Sequence, residues 1–310
     1  MNHNLPHPHL VILGPTASGK SFLGMALARF LGNAEIVSID SMQVYKKMDI
    51  GTAKPSLSDQ EEIPHHMIDL VEPFCDYSLS QFKQGALQAI QDIETRGKRA
   101  ILVGGTALYL RAVIDDLQIP GQWIQIRKEL EQIASSETGM AQLYEQLKHL
   151  DPLAASRILP QNQRRLVRAL EVIKGSGRPF SSYGPGLDYY IDNPKFKLIG
   201  LSWESEILSL RIKQRLFNQI DQGFIQEAQS VAQMGISRTA RQALGYKEFI
   251  AYNQGEITLQ EATDQILRRT RHFVKRQWAW FKRDPRICWI ELLKDQDLEI
   301  ASKSLGLSLV

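Results

Sequence analysis

The sequence predicts an α/β protein: a parallel sheet with crossover helices, interrupted by an all-helical insertion. Three observations carry this reading. The apolar run at residues 10–13 (LVIL) leads directly into Gly14-Pro15-Thr16-Ala17-Ser18-Gly19-Lys20-Ser21, which fits G-x-x-x-x-G-K-[ST], and strong helix formers follow at residues 22–31. Short β-prone runs then alternate with helical periodicity as far as residue 117, the pattern of strands joined by crossover helices. From Trp123 to about Lys174 only helical periodicity is present, before a strand-like run resumes at residues 197–203 (KLIGLSW). The expected organisation is therefore a P-loop NTPase-like core formed by residues 1–117 and 190–310, with a helical insertion domain at residues 118–189.

The elements follow in order. Residues 22–31 place Leu23, Leu27 and Phe30 on one helix face. Residues 35–39 (EIVSI) are a second buried strand ending at Asp40, and the polar, turn-rich stretch through Gly51-Thr52-Ala53-Lys54-Pro55 reads as a functional loop. A helix is expected over residues 78–98, where Leu79, Phe82, Ala86, Ala89, Ile90 and Ile93 recur at helical spacing. Residues 100–103 (AILV) form a third strand running into Gly104-Gly105-Thr106, and a helix resumes over residues 107–117. The insertion helices break at Gly139, Asp151-Pro152 and Pro160, and residues 175–194 have loop composition. After the strand at residues 197–203, residues 205–283 are helical with glycine breaks. Residues 287–291 (ICWIE) are a last strand, and the tail beyond offers no chemistry.

Composition narrows the setting. A net charge of +3 over 310 residues means that a nucleic-acid surface must come from local clustering of Lys and Arg. Cys75 and Cys288 are isolated, without zinc or disulfide spacing, which points to a reducing cytoplasm. No apolar run reaches the roughly 20 residues of a membrane span, and the start lacks the apolar core of a signal peptide. His3, His7 and His9 are expected in a frayed tail. His65 and His66 with Asp69 are expected to be structural, because adjacent histidines do not share the i, i+4 face of a helical zinc motif.

The glycine-rich loop identifies a bound polyphosphate, with Lys20 reaching the terminal phosphates and Ser21 a ligand for Mg²⁺. It leaves the chemistry open between a small-molecule kinase with a helical lid, an RNA-binding module that retains a nucleotide, and other phosphate-ester enzymes. Nucleotide hydrolases add an apolar strand ending in an acidic residue, but residues 100–103 end in Gly-Gly-Thr. Asp40 is the aspartate that does end a strand, suited to holding metal, accepting a proton or fixing its loop. Thr106 caps the next helix or turns its hydroxyl to a phosphate. Two basic clusters favour a large polyanion. Arg268, Arg269, Arg271, Lys275, Arg276, Lys282, Arg283 and Arg286 face only Asp284, while Arg157, Arg164, Arg165, Arg168, Lys174 and Arg178 face only Glu171. Arg268, Arg271 and Lys275 form one stripe, and Val274, Trp278 and Phe281 an apolar one. Structured RNA is the natural partner of two such surfaces beside a phosphate site.

The stretches GPTASGKS (14–21), DSMQVY (40–45), MDIGTAKP (48–55), PHHMID (64–69), VGGTALYL (103–110), RALEV (168–172), ALGYKE (243–248) and KRQWAWFKRDP (275–285) occur in this order. Together they resemble the isopentenyl-tRNA transferase family, over about residues 10–289. That resemblance implies transfer of a dimethylallyl group from dimethylallyl diphosphate to N6 of the adenine 3′-adjacent to the anticodon of tRNA, with Mg²⁺. The expected setting is the cytoplasm, and nothing in the sequence demands more than a monomer. Gly14, Pro15, Thr16, Ala17, Ser18, Gly19, Lys20 and Ser21 would hold the diphosphate, with Ser21 on the metal. Asp40 would be the general base, and Thr106 and Arg211 would act at the diphosphate, with Arg215 as the alternative arginine. Asp40, Ser41, Met42, Gln43, Arg127, Arg164, Arg165, Leu166, Val167, Arg168, Lys275 and Arg276 match tRNA-contact positions. The chain departs from the family pattern in an Arg among residues 164–168 where Gln is frequent and in Ala107 where Gly is usual. The zinc finger of eukaryotic relatives is absent.

Overall fold

The computed structural model describes residues 7–184 and 189–308. The chain divides into two compact units, one formed by the residues up to Ile114 and from Asp192 onward, the other by Asp115–Ile191.

Among the described residues, the first unit is built on six parallel strands. In chain order they are β1 (His9–Leu13), β2 (Ala34–Ile39), β3 (His65–His66), β4 (Arg99–Gly104), β5 (Phe196–Trp203) and β6 (Cys288–Leu292), arranged β3-β2-β4-β1-β5-β6. Every residue of β1, β2 and β4 is buried, as expected of strands covered on both faces, which read as continuous apolar runs and not as alternation. The sheet is clothed by α1 (Lys20–Leu31), α2 (Leu57–Glu62), α3 (Leu79–Thr95) and α4 (Ala107–Ile114), with α9 (Ser205–Asp221), α10 (Phe224–Met234), α11 (Tyr246–Asn253), α12 (Leu259–Phe281) and α13 (Gln296–Ser308) following the insertion. Capping boxes at Ser78 with Gln81 and Thr258 with Glu261 start α3 and α12, each interaction worth about 1 kcal/mol.

The second unit packs α5 (Ile124–Ile133), α6 (Glu137–Leu150), α7 (Pro152–Arg157) and α8 (Gln163–Ser176) around Leu130, Leu143, Leu147, Leu166 and Leu170. Asp151 ends α6 and caps α7, accepting from the Ala154 N–H at 2.9 Å with Pro152 in the first turn. A short 3₁₀ turn covers Phe180–Tyr183, and part of the expected 175–194 loop, residues 185–188, lies outside the described residues.

Several expectations are corrected. His9 is not in a frayed tail: it is the first residue of β1, fully buried, its Nδ1 accepting from the Ala100 N–H at 3.0 Å and its Nε2 donating to Glu94 at 2.7 Å. Burial pushes that imidazole below its ordinary range, against the pull of Glu94. His3 lies outside the described residues. His66 bonds Glu35 at 2.7 Å on the edge strand β3, and His65 bonds the Ile63 carbonyl. Phe30, grouped with Leu23 and Leu27 on one face of α1, is not buried with them; it is half exposed and packs beside Gly306 of α13, so the tail is a helix laid on α1.

Candidate functional site

Three strand ends converge on one place because of the sheet order. β1 lies between β4 and β5, and β2 lies on the far side of β4, so the chain moves to opposite sides after β1 and after β4. Ligands of open α/β sheets bind at the carboxyl ends of strands where the order reverses. In register, Leu13 pairs with Gly104 and with Gly200, and Ile39 pairs with Gly104. The glycine-rich loop after β1, Asp40 after β2 and Gly105-Thr106 after β4 are therefore neighbours. The sheet brings together three features that the sequence separates by tens of residues.

The loop itself is held from outside. Gly19 adopts φ +91° at the cap of α1, and a β-carbon there would stand 2.6 Å from the Leu298 side chain, so glycine is required by both conformation and space. The Ala17 carbonyl accepts from Arg211 Nε at 2.8 Å, the Ser18 carbonyl from Trp203 Nε1 at 2.9 Å and the Pro15 carbonyl from Lys20 Nζ at 2.7 Å. With those oxygens engaged, the unpaired N–H groups at the start of α1 are the loop's resource for an anion. Ser21 stands exposed in that first turn.

Two cations face the cradle. Burial, and secondarily the charge of Arg215, bring the Lys20 ammonium down to about 7, while Asp40 works in the opposite direction. Arg215 donates to the Thr16 hydroxyl at 3.2 Å, and burial lowers its pKa while Asp40 opposes that shift. Arg211 lies one turn earlier on α9 and is committed elsewhere. It binds the Ala17 carbonyl, pairs with Asp295 and stacks on Trp203 with its guanidinium carbon 4.3 Å from the ring centre. Of the two arginines considered from sequence, Arg215 is the one that shares the electrostatic surroundings of Lys20 and Asp40.

Asp40 uses one oxygen to accept from the Met42 N–H at 2.8 Å, which orients its carboxylate as the chain leaves β2. Thr106 precedes α4, its carbonyl accepting from Tyr109 and Leu110 at 3.0 Å. Gln43 faces its own protein: it accepts from Ser38 Oγ at 2.7 Å and donates to the Ala53 carbonyl at 3.0 Å, clipping the segment after β2 to the Thr52-Ala53 turn. The adjacent Asp49-Ile50-Gly51 amides all donate to Glu227, which also accepts from Tyr246 at 2.6 Å. The Lys54 side chain, only 3% exposed, bridges Asp49 and Asp69.

The basic surfaces divide into exposed and structural members. On α12, Arg268, Arg271, Lys275 and Arg276 are exposed, whereas Arg269 pairs with buried Glu248. In the second unit Arg164 and Arg165 are exposed, while Leu166 and Val167 are core residues at 0% and 4% exposure. Arg127 and Arg168 both bind the buried Glu171, at 2.8 and 2.9 Å, and Arg168 also donates to the Pro120 carbonyl. Those two arginines hold their unit together; Arg164 and Arg165 are the segment's outward charge. Replacing Arg164 and Arg165 with Gln is expected to weaken binding of structured RNA at every sequence, and to lower the slope of log affinity against log salt by about 1 for each phosphate no longer neutralised. A titration over several salt concentrations measures it; unchanged affinity and slope would remove the pair from the interface.

Sequence reasoning passed over Gln277, Trp203 and the packing of α13. A signal for Gln277 was available, since it interrupts the stripe of Val274, Trp278 and Phe281 with an amide that ends up 4% exposed. Among the described residues no cluster of three or more His, Cys, Asp or Glu could hold a metal, and no helix is long and apolar enough to cross a membrane.

Residues 43–284 match the family model described as IPP transferase. The tRNA dimethylallyltransferases of Carboxydothermus hydrogenoformans and Geobacter metallireducens are 44% and 42% identical to the chain, over 95% and 91% of it and 95% and 92% of their own lengths. Among solved structures, the full-length tRNA isopentenylpyrophosphate transferase from Bacillus halodurans matches with TM-score 0.68 at 35% identity, covering 98% of this chain and 97% of that one. A eukaryotic dimethylallyltransferase captured acting on tRNA matches with TM-score 0.81 at 27% identity, covering 97% of this chain and 78% of that one.

Proposed function

The chain belongs to the IPP transferase family, and from that premise we infer that it is a tRNA dimethylallyltransferase. It transfers the dimethylallyl group of dimethylallyl diphosphate to N6 of the adenine 3′-adjacent to the anticodon and releases diphosphate. The observation that carries this reading is the convergence of the glycine-rich loop, Asp40, Gly105-Thr106 and Arg215 at adjoining strand ends, in a chain that aligns over nearly its whole length with enzymes of that name.

The chemistry follows from charge. Breaking the allylic carbon–oxygen bond leaves positive charge on the prenyl carbon and an extra negative charge on the departing diphosphate. Lys20, the loop amides and Arg215 face that negative charge, and preorganised donors of this kind are each worth on the order of 3 kcal/mol in the transition state. Thr106, on the neighbouring loop, is assigned to the diphosphate oxygens. Arg211 acts through the Ala17 carbonyl as a brace of the loop. The adenine N6 lone pair forms the new bond to carbon, and Asp40 accepts the N6 proton late, when the amine has become acidic.

Magnesium suits the donor set. Ser21 supplies a hard hydroxyl oxygen, and an ion that keeps several waters and binds substrate phosphates needs no cage of protein carboxylates. When bound it would neutralise the leaving diphosphate. We assign tRNA phosphates to Arg164 and Arg165 in one unit and to Arg268, Arg271, Lys275 and Arg276 in the other. Ser41 and Met42, partly buried beside Asp40, are the part of that segment open to the RNA. A target base in a folded anticodon loop must leave its stack to reach such a site. The enzyme is taken to act as a cytoplasmic monomer.

The test is an incubation with undermodified tRNA, Mg²⁺ and either dimethylallyl diphosphate or ATP, followed by nucleoside mass analysis. Prenylated adenosine formed only with the prenyl diphosphate is the expected result; ATP turnover without prenylation would replace this reading with a kinase.

Lys20 gives the diphosphate step a pH signature. Its ammonium, near 7 in the free protein, must be charged when the anion binds, so binding takes up a proton once the pH passes about 7 and weakens as the pH rises further. Titration calorimetry at about pH 8, in buffers of differing ionisation enthalpy, is expected to show this uptake in the native protein and lose it in Lys20→Met. Equal uptake in the two proteins would place the proton elsewhere.

A further inference from the structure

Gln277 is 4% exposed, on the face of α12 that is otherwise formed by Val274, Trp278 and Phe281. Both ends of its amide are used. Oε1 accepts from the Thr16 N–H of the diphosphate cradle at 2.9 Å, and Nε2 donates to the Gly105 carbonyl at 2.8 Å. A backbone N–H only donates and a carbonyl only accepts, so the amide orientation is fixed by its partners. The two loops it joins follow neighbouring strands, β1 and β4. The fit is close on the second side: a β-carbon on Gly105 would stand 2.5 Å from Nε2. On the first side, Thr16 is held by its N–H to Gln277 and by its hydroxyl to Arg215.

We propose that Gln277 is a positioning residue for prenyl transfer, setting the distance between the diphosphate cradle and the Gly105-Thr106 loop and, through Thr16, seating Arg215. The proposal rests on the transferase reading above. The side chain is buried and works entirely through the two loops it ties. It also takes the Thr16 N–H out of the set that the cradle offers to an anion. The cradle is thereby tuned by a side chain 261 residues away in sequence.

Three variants of the full chain test it. Gln277→Leu keeps the volume and removes both bonds. Gln277→Glu keeps an acceptor for Thr16 and sets a carboxylate oxygen against the Gly105 carbonyl. Gly105→Ala presses a methyl group on the same amide from the other side. Each is expected to lower kcat about 10- to 100-fold, the scale of a displacement of about 1 Å at a reacting centre. Inorganic diphosphate is expected to bind about tenfold more weakly, and tRNA to bind within about twofold of the native protein. Because Gln277 and Gly105 act on one tie, the Gln277→Leu, Gly105→Ala double variant is expected to be no slower than the slower single variant.

Native-like kcat and diphosphate affinity in all three variants would overturn the proposal. So would a loss of tRNA affinity with kcat unchanged, which would make Gln277 an RNA-binding residue. Multiplying effects in the double variant, together with a lowered melting temperature, would reduce it to a packing residue. If the native protein transfers no prenyl group, the transferase reading fails, and the diphosphate titration still decides the tie.

Discussion

Asp40→Asn is expected to lower the rate of prenyl transfer by about 10²- to 10⁴-fold, the usual contribution of a positioned general base, while tRNA and diphosphate still bind. Asparagine is the informative replacement because its side-chain oxygen can still accept from the Met42 N–H, the bond that orients residue 40 as the chain leaves β2. The loop shape is then kept and only the proton acceptor is lost. An exocyclic adenine amine is a weak nucleophile whose proton becomes acidic as the nitrogen–carbon bond forms. The defect should therefore fall on kcat and on single-turnover rates, with both dissociation constants within a few fold of native. Near-normal turnover in Asp40→Asn would leave Asp40 as a loop-fixing carboxylate and move the base elsewhere.

The second large effect separates two arginines one helical turn apart. Arg215→Gln is expected to cost about 10²- to 10³-fold in kcat, the loss of one preorganised donor from a developing oxyanion, with little change in melting temperature. Arg211→Gln is expected to show the reverse weighting. Its guanidinium is spent on the Ala17 carbonyl, Asp295 and the face of Trp203, so its loss should lower the melting temperature by about 2–4 °C per kcal/mol removed and slow turnover less. Paired thermal melts and steady-state kinetics on the two variants decide the assignment. If the larger kinetic loss falls on Arg211, the arginine facing the diphosphate is the one the family resemblance first suggested.

Why that pair was ambiguous in the sequence, and the strands were not, has a physical reason. β1, β2 and β4 are buried on both faces, so residues 10–13 and 100–103 are continuous apolar runs and β2 is mostly apolar and β-branched, and such segments are visible without a structure. β3 escaped because two histidines at an edge make no run. The phosphate loop was legible because its chemistry is local. Arg211 and Arg215 lie one turn apart on α9, so helical spacing gives both much the same direction, and only the partners that arrive from other elements separate them. In the second unit the phase of α8 did contain the answer: Leu166 and Leu170 belong to the inward stripe, so Arg164 and Arg165 point outward. Matching a contiguous segment to a binding role overrode that phase. Gln277 and the packing of α13 depend on partners hundreds of residues away, which no window of sequence contains.

The Leu298 side chain that fills the space behind Gly19, with Asp295 holding Arg211 against the same loop, has a consequence for synthesis. The residues that close the back of the phosphate loop are made nearly three hundred positions after the loop itself. A nascent chain that has completed β6 but not residues 295–298 has every strand of the sheet described above and still lacks the rear wall of its cradle. The loop is thus made well before the side chains that brace it, and its final shape waits on them.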